Sequence, residues 1–363
     1  MRPEPTFHYI CSTVAGMTTA AIIGGGIGGL ATAALLTRQG WEVEVFERAP
    51  SLPTTGTALG MWPEAMAVLE QVGAADAVRR IGIDQRIAEI RSAGGHRLGP
   101  EIRAKGATVL ISRPRLLEAL AACAPGVRFG DRRADLSGLD HDVIVGADGI
   151  GSIARAHVVG HDVAPRPLGV DVLIGRCPGE TDTFTEYWGP GRLFGVTPRD
   201  GGCINWYSEF DPRAVPAGTP DPDTDPRGFL RAMYRGWDPR VTRTIEGVEV
   251  ETALHYRSRD LPRLPRIVRG NVALIGDAAH AMAPNLGRGA CETLLDAAAL
   301  ADALGAAAAF GGDAGPALRA YESARRRAGQ RTMLLSRAMR HTALTSRLRT
   351  PRDLLLRAVA AVA

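Results

Sequence analysis

Three runs of apolar residues divide the chain, and each ends at a glycine or an acidic residue. The first run covers residues 20–23, the second residues 143–147 and the third residues 272–275. Unbroken apolar runs of this length are typical of strands buried on both faces, as in a parallel sheet. Apolar residues at helical spacing follow at 30–39 and 290–304. The alternation predicts an α/β fold with a mostly parallel sheet.

The pattern changes between residues 168 and 210, where short aromatic and β-branched runs alternate with turns. Gly189–Gly191 and Asp200–Gly202 have the composition of hairpin turns. We therefore expect residues 165–265 to form a separate antiparallel sheet, inserted into the α/β domain. This sheet is the expected holder of a substrate.

The remaining domain boundaries follow from the same changes of pattern. The α/β domain is predicted to be discontinuous, with residues 17–164 before the inserted sheet and residues 266–340 after it. Residues 341–363 are expected to end the chain with a helix. Residues 1–16 precede Met17 and are expected to be a disordered extension.

Glycines follow the first apolar run at the spacing of a dinucleotide-binding turn, Gly24-x-Gly26-x-x-Gly29. In such a turn the first glycine allows a tight bend and the second lets the backbone approach a pyrophosphate. The third lets the helix pack closely on its strand. Glu47 ends the next predicted strand, at the separation expected of an acid that binds ribose. These residues predict a nucleotide site; the alternative is a tight turn without a ligand.

Two further strand ends carry acidic residues of the kind that contact ligands in open α/β sheets. Asp148 follows the second apolar run, and Gly276-Asp277 follows the third. An ordinary turn is the alternative at Asp148. Arg113 precedes a predicted helix, where it is either a surface residue or a charge partner for a phosphate.

Composition excludes several classes of function. The net charge is +4 over 363 residues, and 23% of the residues are charged, as in an ordinary globular protein. No basic run is dense enough to indicate nucleic acid, and no apolar run is long enough to span a membrane. The five cysteines lack Cys-x-x-Cys spacing, which argues against a disulfide framework and a zinc site. We predict a cytoplasmic protein without a metal site.

Together the three strand ends resemble the single-component FAD-dependent aromatic hydroxylases, the family of p-hydroxybenzoate hydroxylase, salicylate hydroxylase and zeaxanthin epoxidase. The resemblance covers residues 20 to about 340. It implies a Rossmann-like FAD-binding domain with an inserted antiparallel-sheet substrate domain and C-terminal helices. The motifs that carry it are Gly24-x-Gly26-x-x-Gly29 with Glu47, Gly146-Ala147-Asp148-Gly149, and Gly276-Asp277 followed by Pro284 and Gly287.

The resemblance implies cofactor-binding roles for residues at all three strand ends. These residues are Gly24, Gly26, Gly28, Gly29, Glu47, Arg48, Arg113, Asp148, Gly276, Asp277, Pro284, Gly287, Arg288, Gly289 and Ala290. Within this set, Glu47 binds the adenosine ribose and Asp277 the ribityl chain. Pro284, Gly287 and Gly289 are the implied catalytic residues, because the helix that starts there directs its N-terminus at the flavin.

The implied reaction uses bound FAD, transient NADPH or NADH, and O2. NAD(P)H reduces the flavin, and oxygen then forms a flavin hydroperoxide. One oxygen atom passes to an aromatic or polyene-like small molecule, by hydroxylation or epoxidation. Asp148 belongs to the motif that serves both FAD and NAD(P)H. We expect a monomer or homodimer with a role in secondary metabolism.

Two alternatives keep the fold and change the chemistry. One is an FAD-dependent reductase or halogenase, although the sequence lacks the Trp-x-Trp-x-Ile-Pro stretch of flavin halogenases. The other is a flavin-fold protein without redox turnover, such as a cyclase or a binding scaffold.

The sequence departs from the family pattern at three places. Arg288 stands where glutamine is common, and Glu64 stands where asparagine is common. Arg288 either stabilises negative charge at the flavin or extends into solvent, and the second interpretation is favoured. The segment from Val127 to Asp142 is shorter than usual, so part of a small β-meander over the adenine side is expected to be missing.

Candidate substrate contacts lie in the predicted sheet domain, and each has an alternative role in packing. They are Tyr187, Trp188, Arg192, Phe194, Asn205, Tyr207 and His255. His255 could act as a general base for a phenol, although a structural role is favoured. His280 is expected to be structural.

Overall fold

A computed structural model of the protein describes residues 18–309, 314–345 and 352–353. The predicted extension at 1–16, and residues 346–351 and 354–363 of the predicted C-terminal helix, lie outside the described residues.

The described residues form fourteen strands that make up two sheets. The strands are β1 (Thr19–Ile23), β2 (Glu42–Glu47), β3 (Ala58–Met61), β4 (Ile83–Ser92), β5 (Ile102–Ser112), β6 (Val127–Phe129), β7 (Val143–Gly146), β8 (Arg166–Pro178), β9 (Thr183–Gly189), β10 (Arg192–Arg199), β11 (Cys203–Phe210), β12 (Leu254–Asp260), β13 (Val268–Arg269) and β14 (Val272–Leu274).

Ten α-helices accompany the strands within the same part of the chain. The helices are α1 (Ile27–Arg38), α2 (Pro63–Val72), α3 (Ala75–Ile81), α4 (Arg113–Ala121), α5 (Ile153–Val159), α6 (Pro226–Met233), α7 (Pro239–Glu246), α8 (Asp277–His280), α9 (Gly289–Ala309) and α10 (Ala314–Leu344).

The first sheet contains the three apolar runs as neighbouring strands. Its order is β13-β14-β7-β1-β2-β6, and every pair except β13–β14 is parallel. The ends of β1, β7 and β14 are in register, since Ile23 pairs with Gly146 and Gly146 pairs with Leu274. Carboxyl ends of parallel strands meet at one edge of a sheet, so the three motifs lie side by side.

The second sheet has eight strands in the order β12-β8-β11-β10-β9-β4-β5-β3. Its strands β8 to β12 come from the segment 165–265, which was expected to form the inserted sheet. Strands β3, β4 and β5 come from residues 58–112 and extend the sheet beyond that segment. Only the β4–β9 pair is parallel among these pairings.

The second sheet has an inner face towards the first sheet and an outer face covered by helices. The outer face packs on α6 and α7, where Phe194 stacks on Trp206 with ring centroids 6.3 Å apart. Tyr234 fixes these helices, because its hydroxyl donates a 2.7 Å hydrogen bond to the Leu193 carbonyl. The inner face meets α10, whose Ala343 packs against Trp188.

Two helices on the outer face begin at aspartate caps followed by proline. Asp225 accepts a hydrogen bond from the amide of Gly228, and Asp238 accepts one from the amide of Arg240. A helix was expected around Phe229–Tyr234, and the structure has it at Pro226–Met233. The helix α7 was not predicted, although Asp238-Pro239 is a recognisable start signal.

The segment from Val127 to Asp142 contains one short strand, β6, and no other strand in its described residues. No described helix combines the length and the apolar character required to cross a membrane. Four cysteines lie within the described chain, and each has a free thiol.

Candidate functional site

The glycine turn after β1 has three different environments for its three glycines. Gly24 has φ +108°, and a Cβ there would lie 2.4 Å from the Ala147 carbonyl oxygen. A Cβ on Gly29 would lie 1.8 Å from the Gly24 carbonyl oxygen, whereas one on Gly26 would meet no described atom within 4 Å. Gly24 therefore serves the bend, Gly29 the close approach of α1, and Gly26 leaves open space for a ligand.

Gly28 has a packing role. A Cβ on Gly28 would lie 2.6 Å from Thr293 Cγ2 and 3.0 Å from Ile275 Cδ1. Its small size therefore lets α1 pack on α9 and on the end of the third apolar run. Unlike Gly26, Gly28 opens no space for a cofactor.

Glu47 lies at the end of β2, beside the glycine turn. One carboxylate oxygen accepts a 2.7 Å hydrogen bond from the Gly25 amide, and the other accepts a 2.8 Å bond from the Ala49 amide. Each oxygen keeps a second lone pair, so the carboxylate can also accept hydrogen bonds from ribose hydroxyls. The neighbouring Arg48 is exposed.

Phe129 was missed by the sequence analysis. It pairs with Glu47 across β2 and β6, and 38% of its surface is exposed. An exposed aromatic ring beside the Glu47 carboxylate is suited to stacking on a nucleotide base. The signal was weak, because β6 has only three residues.

Asp148 and Arg155 form a structural unit at the end of β7. One oxygen of Asp148 accepts hydrogen bonds from the amides of Ile153 (2.7 Å) and Ala154 (3.3 Å), at the start of α5. The Arg155 guanidinium donates to the carbonyls of Ile150 (2.7 Å) and Ala278 (3.3 Å). The motif therefore ties β7 to α8 and leaves the other Asp148 oxygen without a partner among the described residues.

Asp277 is the first residue of α8 and lies in a cleft. The Asp277 side chain is exposed to solvent at one side, and many protein atoms lie around the rest of it. This enclosure raises the pKa of the Asp277 carboxyl, while the positive charges of His280 and Arg113 oppose the rise. Arg113 is exposed at the start of α4. The two predicted residues therefore come together near the third strand end.

A buried network supports Gly276 and α8 from behind. His280 Nε2 lies 2.6 Å from an oxygen of Asp296, and the same oxygen accepts a 2.8 Å hydrogen bond from the Gly276 amide. The other oxygen of Asp296 accepts a 2.7 Å bond from Arg325. Burial opposes charge on His280, but Asp296 outweighs it and raises the histidine pKa. His280 is thus part of the scaffold.

Arg288 does not extend into solvent, so the favoured interpretation of this residue was wrong. Only 20% of its side chain is exposed, and it pairs with Glu64 and, at 3.3 Å, with Glu292. Its guanidinium also lies 5.2 Å from the ring centroid of Trp62. Arg288 and Glu64, two of the departures from the family pattern, are therefore partners. The residue type at either position alone does not indicate this ion pair.

The turn before α9 leaves open space at two of its glycines. Pro284–Leu286 form a 3₁₀ turn, and Gly287 follows with φ +61°. Ser336 holds this turn, because its hydroxyl donates a 2.7 Å hydrogen bond to the Ala283 carbonyl. A Cβ on Gly287 or Gly289 would meet no described atom within 4 Å. The N-terminus of the 21-residue helix α9 thus faces open space, which favours a negatively charged group.

These observations fit FAD. The pyrophosphate requires the space at Gly26, a ribose requires an acceptor such as Glu47, and a ribityl chain requires polar groups such as Asp277. All three lie at ends of neighbouring strands in the first sheet. Gly276 precedes α8 with φ +57°, a backbone angle that favours glycine, and Ala290 lies in the first turn of α9.

The inner face of the second sheet carries three of the predicted substrate residues, Asn205, Tyr207 and the buried Trp188. The Tyr207 hydroxyl donates a 2.6 Å hydrogen bond to Glu186, and its ring covers Gly195. The Asn205 amide oxygen accepts bonds from the Thr57 hydroxyl (3.1 Å) and the Ala58 amide (3.2 Å). Tyr207 is partly exposed, whereas Asn205 is buried and joins β11 to β3.

Four other substrate candidates lie on the outer face, away from Pro284, and we no longer assign them to a substrate site. Tyr187 and Phe194 are buried against α6 and α7. Arg192 donates to the Ala214 carbonyl at 3.0 Å, and His255 lies 3.0 Å from Asp223. Successive side chains of a strand point to opposite faces, and the sequence did not indicate which set faced inward.

Three inner-face residues were missed: Glu186, Glu209 and Tyr256. Glu186 also accepts a 2.7 Å bond from the Trp188 indole, so Trp188 supports the inner face from within the protein. Glu209 accepts a hydrogen bond from the side-chain amide of Asn285, next to Pro284. The available signal was an acidic residue inside each of two otherwise apolar strands.

Comparison with known proteins agrees with this geometry. A model of the FAD binding domain family matches residues 17–140 and 121–336. Aurachin C monooxygenase/isomerase of Stigmatella aurantiaca is 32% identical over 314 residues, 79% of this chain and 80% of the relative. For 3-amino-4-hydroxybenzoate 2-monooxygenase of Streptomyces cremeus the identity is 32% over 341 residues, 84% of this chain and 82% of the relative.

The fold also has close counterparts among solved structures. The crystal structure of Klebsiella pneumoniae HpxO complexed with FAD and uric acid superimposes with a TM-score of 0.83 at 23% identity. The match covers 96% of this chain and 94% of the other. This likeness confirms the predicted α/β fold with its second, largely antiparallel sheet and C-terminal helices.

Two glycine substitutions should separate folding from cofactor binding. Gly29→Ala should lower the stability of the apoprotein by about 3 kcal/mol, because the new methyl group clashes with the Gly24 carbonyl. Gly26→Ala should leave apoprotein stability unchanged, since Gly26 has φ −80° and open space around it. It should still weaken FAD binding by about 10-fold or more. Thermal unfolding and FAD titration measure both effects; equal destabilisation by the two variants would contradict the assignment.

Proposed function

The chain belongs to the FAD binding domain family and is an FAD-dependent monooxygenase, and we propose that it oxygenates an aromatic or polyene-like small molecule with NADPH or NADH and O2. The observation that carries this proposal is the side-by-side position of the ends of β1, β7 and β14 in the first sheet. The Gly26 turn and Asp277 follow two of these strands, and the chain leaves open space at Gly26 and Gly287.

Residues at the cleft would bind the two ends of the cofactor differently. Gly26 and the N-terminus of α1 would receive the pyrophosphate, and Glu47 the adenosine ribose. Asp277 would accept hydrogen bonds from the ribityl hydroxyls, with Arg113 as a nearby positive charge. The unpaired oxygen of Asp148 is available for a further contact with FAD or with a transiently bound nicotinamide cofactor.

The turn from Pro284 to Gly289 would face the flavin ring. Bound FAD supplies the chemistry of oxygen activation, whereas the protein supplies orientation and electrostatics. The N-terminus of α9 would stabilise negative charge in front of Gly287 and Gly289, because helix amides and the helix dipole point there. The ion pair of Arg288 with Glu64 would fix this turn against α2.

The substrate would lie between Pro284 and the inner face of the second sheet. Tyr207 and Tyr256 supply partly exposed rings on that face, and rings of this kind bind planar molecules by apolar and aromatic contact. We propose that the protein acts in the cytoplasm, as a monomer or homodimer, and modifies a secondary metabolite.

The proposed reaction predicts substrate-stimulated oxidation of NADPH or NADH by the FAD-loaded protein. Isotopically labelled O2 should transfer one oxygen atom to the product, as detected by mass spectrometry. A screen of aromatic compounds provides the substrates, and protein without added compound is the control. Rapid flavin reduction without an oxygenated product would indicate a reductase instead, and chlorinated product in the presence of chloride would indicate a halogenase.

Asp277→Ala should weaken FAD binding by about 10- to 100-fold, which corresponds to losing hydrogen bonds to a charged acceptor. Asp223→Asn is a matched control, because Asp223 is an exposed acid on the outer face, paired with His255. The flavin-to-protein absorbance ratio and an FAD titration measure the effect. Equal FAD affinity of the Asp277→Ala variant and the wild type would refute the assigned role.

A further inference from the structure

The inner face of the second sheet carries two buried carboxyl groups close to the turn at Pro284. Glu186 on β9 is 8% exposed and Glu209 on β11 is 2% exposed. Buried carboxyl groups are costly unless hydrogen-bonded partners surround them, so their positions need a reason. Glu186 has its partners, since Tyr207 and Trp188 both donate to it.

Glu209 is only partly satisfied. One of its oxygens accepts a hydrogen bond from the side-chain amide of Asn285. The other Glu209 oxygen and the Asn285 amide oxygen are buried without a hydrogen-bond partner among the described residues. We call Glu209 and Asn285 the acceptor pair. Two orphan acceptors at one place indicate a missing donor, because buried polar groups in folded proteins are normally paired.

The surroundings of the acceptor pair are rich in acceptors. The Tyr207 hydroxyl donates its hydrogen bond to Glu186, so only its oxygen lone pairs are left to accept a hydrogen bond from a ligand. Tyr256 lies on the same face as Glu209, with Val172 between them; it is 37% exposed, and partial burial raises the pKa of its hydroxyl to about 12. The ring of Tyr256 therefore forms part of the accessible wall beside the acceptor pair.

The positive charge that acts on Glu209 comes from Arg340, which is only partly engaged, because its Nε has no hydrogen-bond partner among the described residues. Arg340 of α10 is buried, and it donates a 2.6 Å hydrogen bond to the Leu168 carbonyl. Burial raises the pKa of Glu209 to about 7, Asn285 and Arg340 oppose the rise, and Glu186 adds to it. A ligand carboxylate placed here would face two acidic residues in a poorly solvated site, which is strongly unfavourable.

We propose that the acceptor pair selects an aromatic substrate with N–H or O–H donors and no carboxylate, such as an aminophenol or a hydroxylated nitrogen heterocycle. This inference rests on the proposed function and specifies its substrate class. Glu209 holds the Asn285 amide so that the pair presents acceptors next to Pro284. A donor on the substrate then satisfies the orphan oxygens and fixes the ring at the flavin edge.

The test compares two probes of similar size, 2-aminophenol and salicylate, which differ by an amine and a carboxylate. Their dissociation constants are measured on the FAD-loaded protein without NAD(P)H, by calorimetry and by changes in flavin absorbance. The wild type should bind 2-aminophenol at least about 10-fold more tightly, the effect of a hydrogen bond to a charged acceptor. Preference for salicylate, or no binding of 2-aminophenol, would overturn the proposal.

Glu209→Gln should abolish most of this preference while the FAD content stays that of the wild type. Glutamine keeps the shape and the oxygen that accepts from Asn285, and it removes the charge. Glu246→Gln is the matched control, because Glu246 pairs with Arg231 on the outer helices. The ratio of the two dissociation constants does not depend on the folded fraction. An unchanged ratio in the Glu209→Gln variant would contradict the role of the acceptor pair.

The preference should also depend on pH. Glu209 ionises as the pH rises through about 7, so the wild-type preference for 2-aminophenol should increase across that range. The Glu209→Gln variant should show a flat profile. The titratable and charged groups that face Glu209 are Glu186, Tyr207, Tyr256 and Arg340. A pH dependence that persists in the variant would assign the effect to one of these groups and overturn the claim for Glu209.

The outcomes separate this inference from the proposed function. Tighter binding of 2-aminophenol than of salicylate, without an oxygenated product, would contradict the proposed monooxygenase reaction and support the role of the acceptor pair in recognition. Oxygenation of salicylate in preference to 2-aminophenol would keep the reaction and remove the recognition claim.

Discussion

The structure depends on the close approach of the first helix to the first sheet. A side chain at Gly29 would overlap the Gly24 carbonyl, and one at Gly24 would overlap the Ala147 carbonyl. The two contacts bring β1, α1 and the end of β7 together with no room between their backbones. Because the backbone is so tightly packed, the N-terminus of α1 points into the cleft in a fixed direction. The proposed phosphate binding there would require no further rearrangement.

A second constraint acts on the far side of the cleft. Asp296 on α9 joins the Gly276 amide, the buried His280 and Arg325 of α10. The burial of these charges is costly, and their mutual pairing offsets that cost. Removing one of these side chains would leave a buried charge without its partner. The network therefore holds Asp277 and the start of α9 in one arrangement. Close backbone packing on one side and buried ion pairs on the other thus hold the residues proposed to bind the cofactor.

The sequence was sufficient to predict the parallel sheet, the three strand ends that carry glycine and aspartate, and the likeness to flavin hydroxylases, because glycine spacing and apolar runs are local signals. The residues facing the substrate were mostly not predictable. Side chains alternate between the two faces of a strand, so Tyr207 and Glu209 face inward while Phe194 and His255 face outward. Which of the two sets faces inward depends on the packing of α6, α7 and α10, and the sequence does not show it. The pairing of Glu64 with Arg288 joins residues far apart in the chain, so no local pattern reveals it.

A crystal structure of the FAD-loaded protein with bound 2-aminophenol tests the account most directly. The flavin should lie against the turn from Pro284 to Gly289, and the aromatic ring should lie between this turn and the inner face. A nitrogen or oxygen of the ring substituents should be about 3 Å from Glu209 or Asn285. A ring bound on the outer face beside His255, or a flavin ring distant from Gly287, would contradict the account.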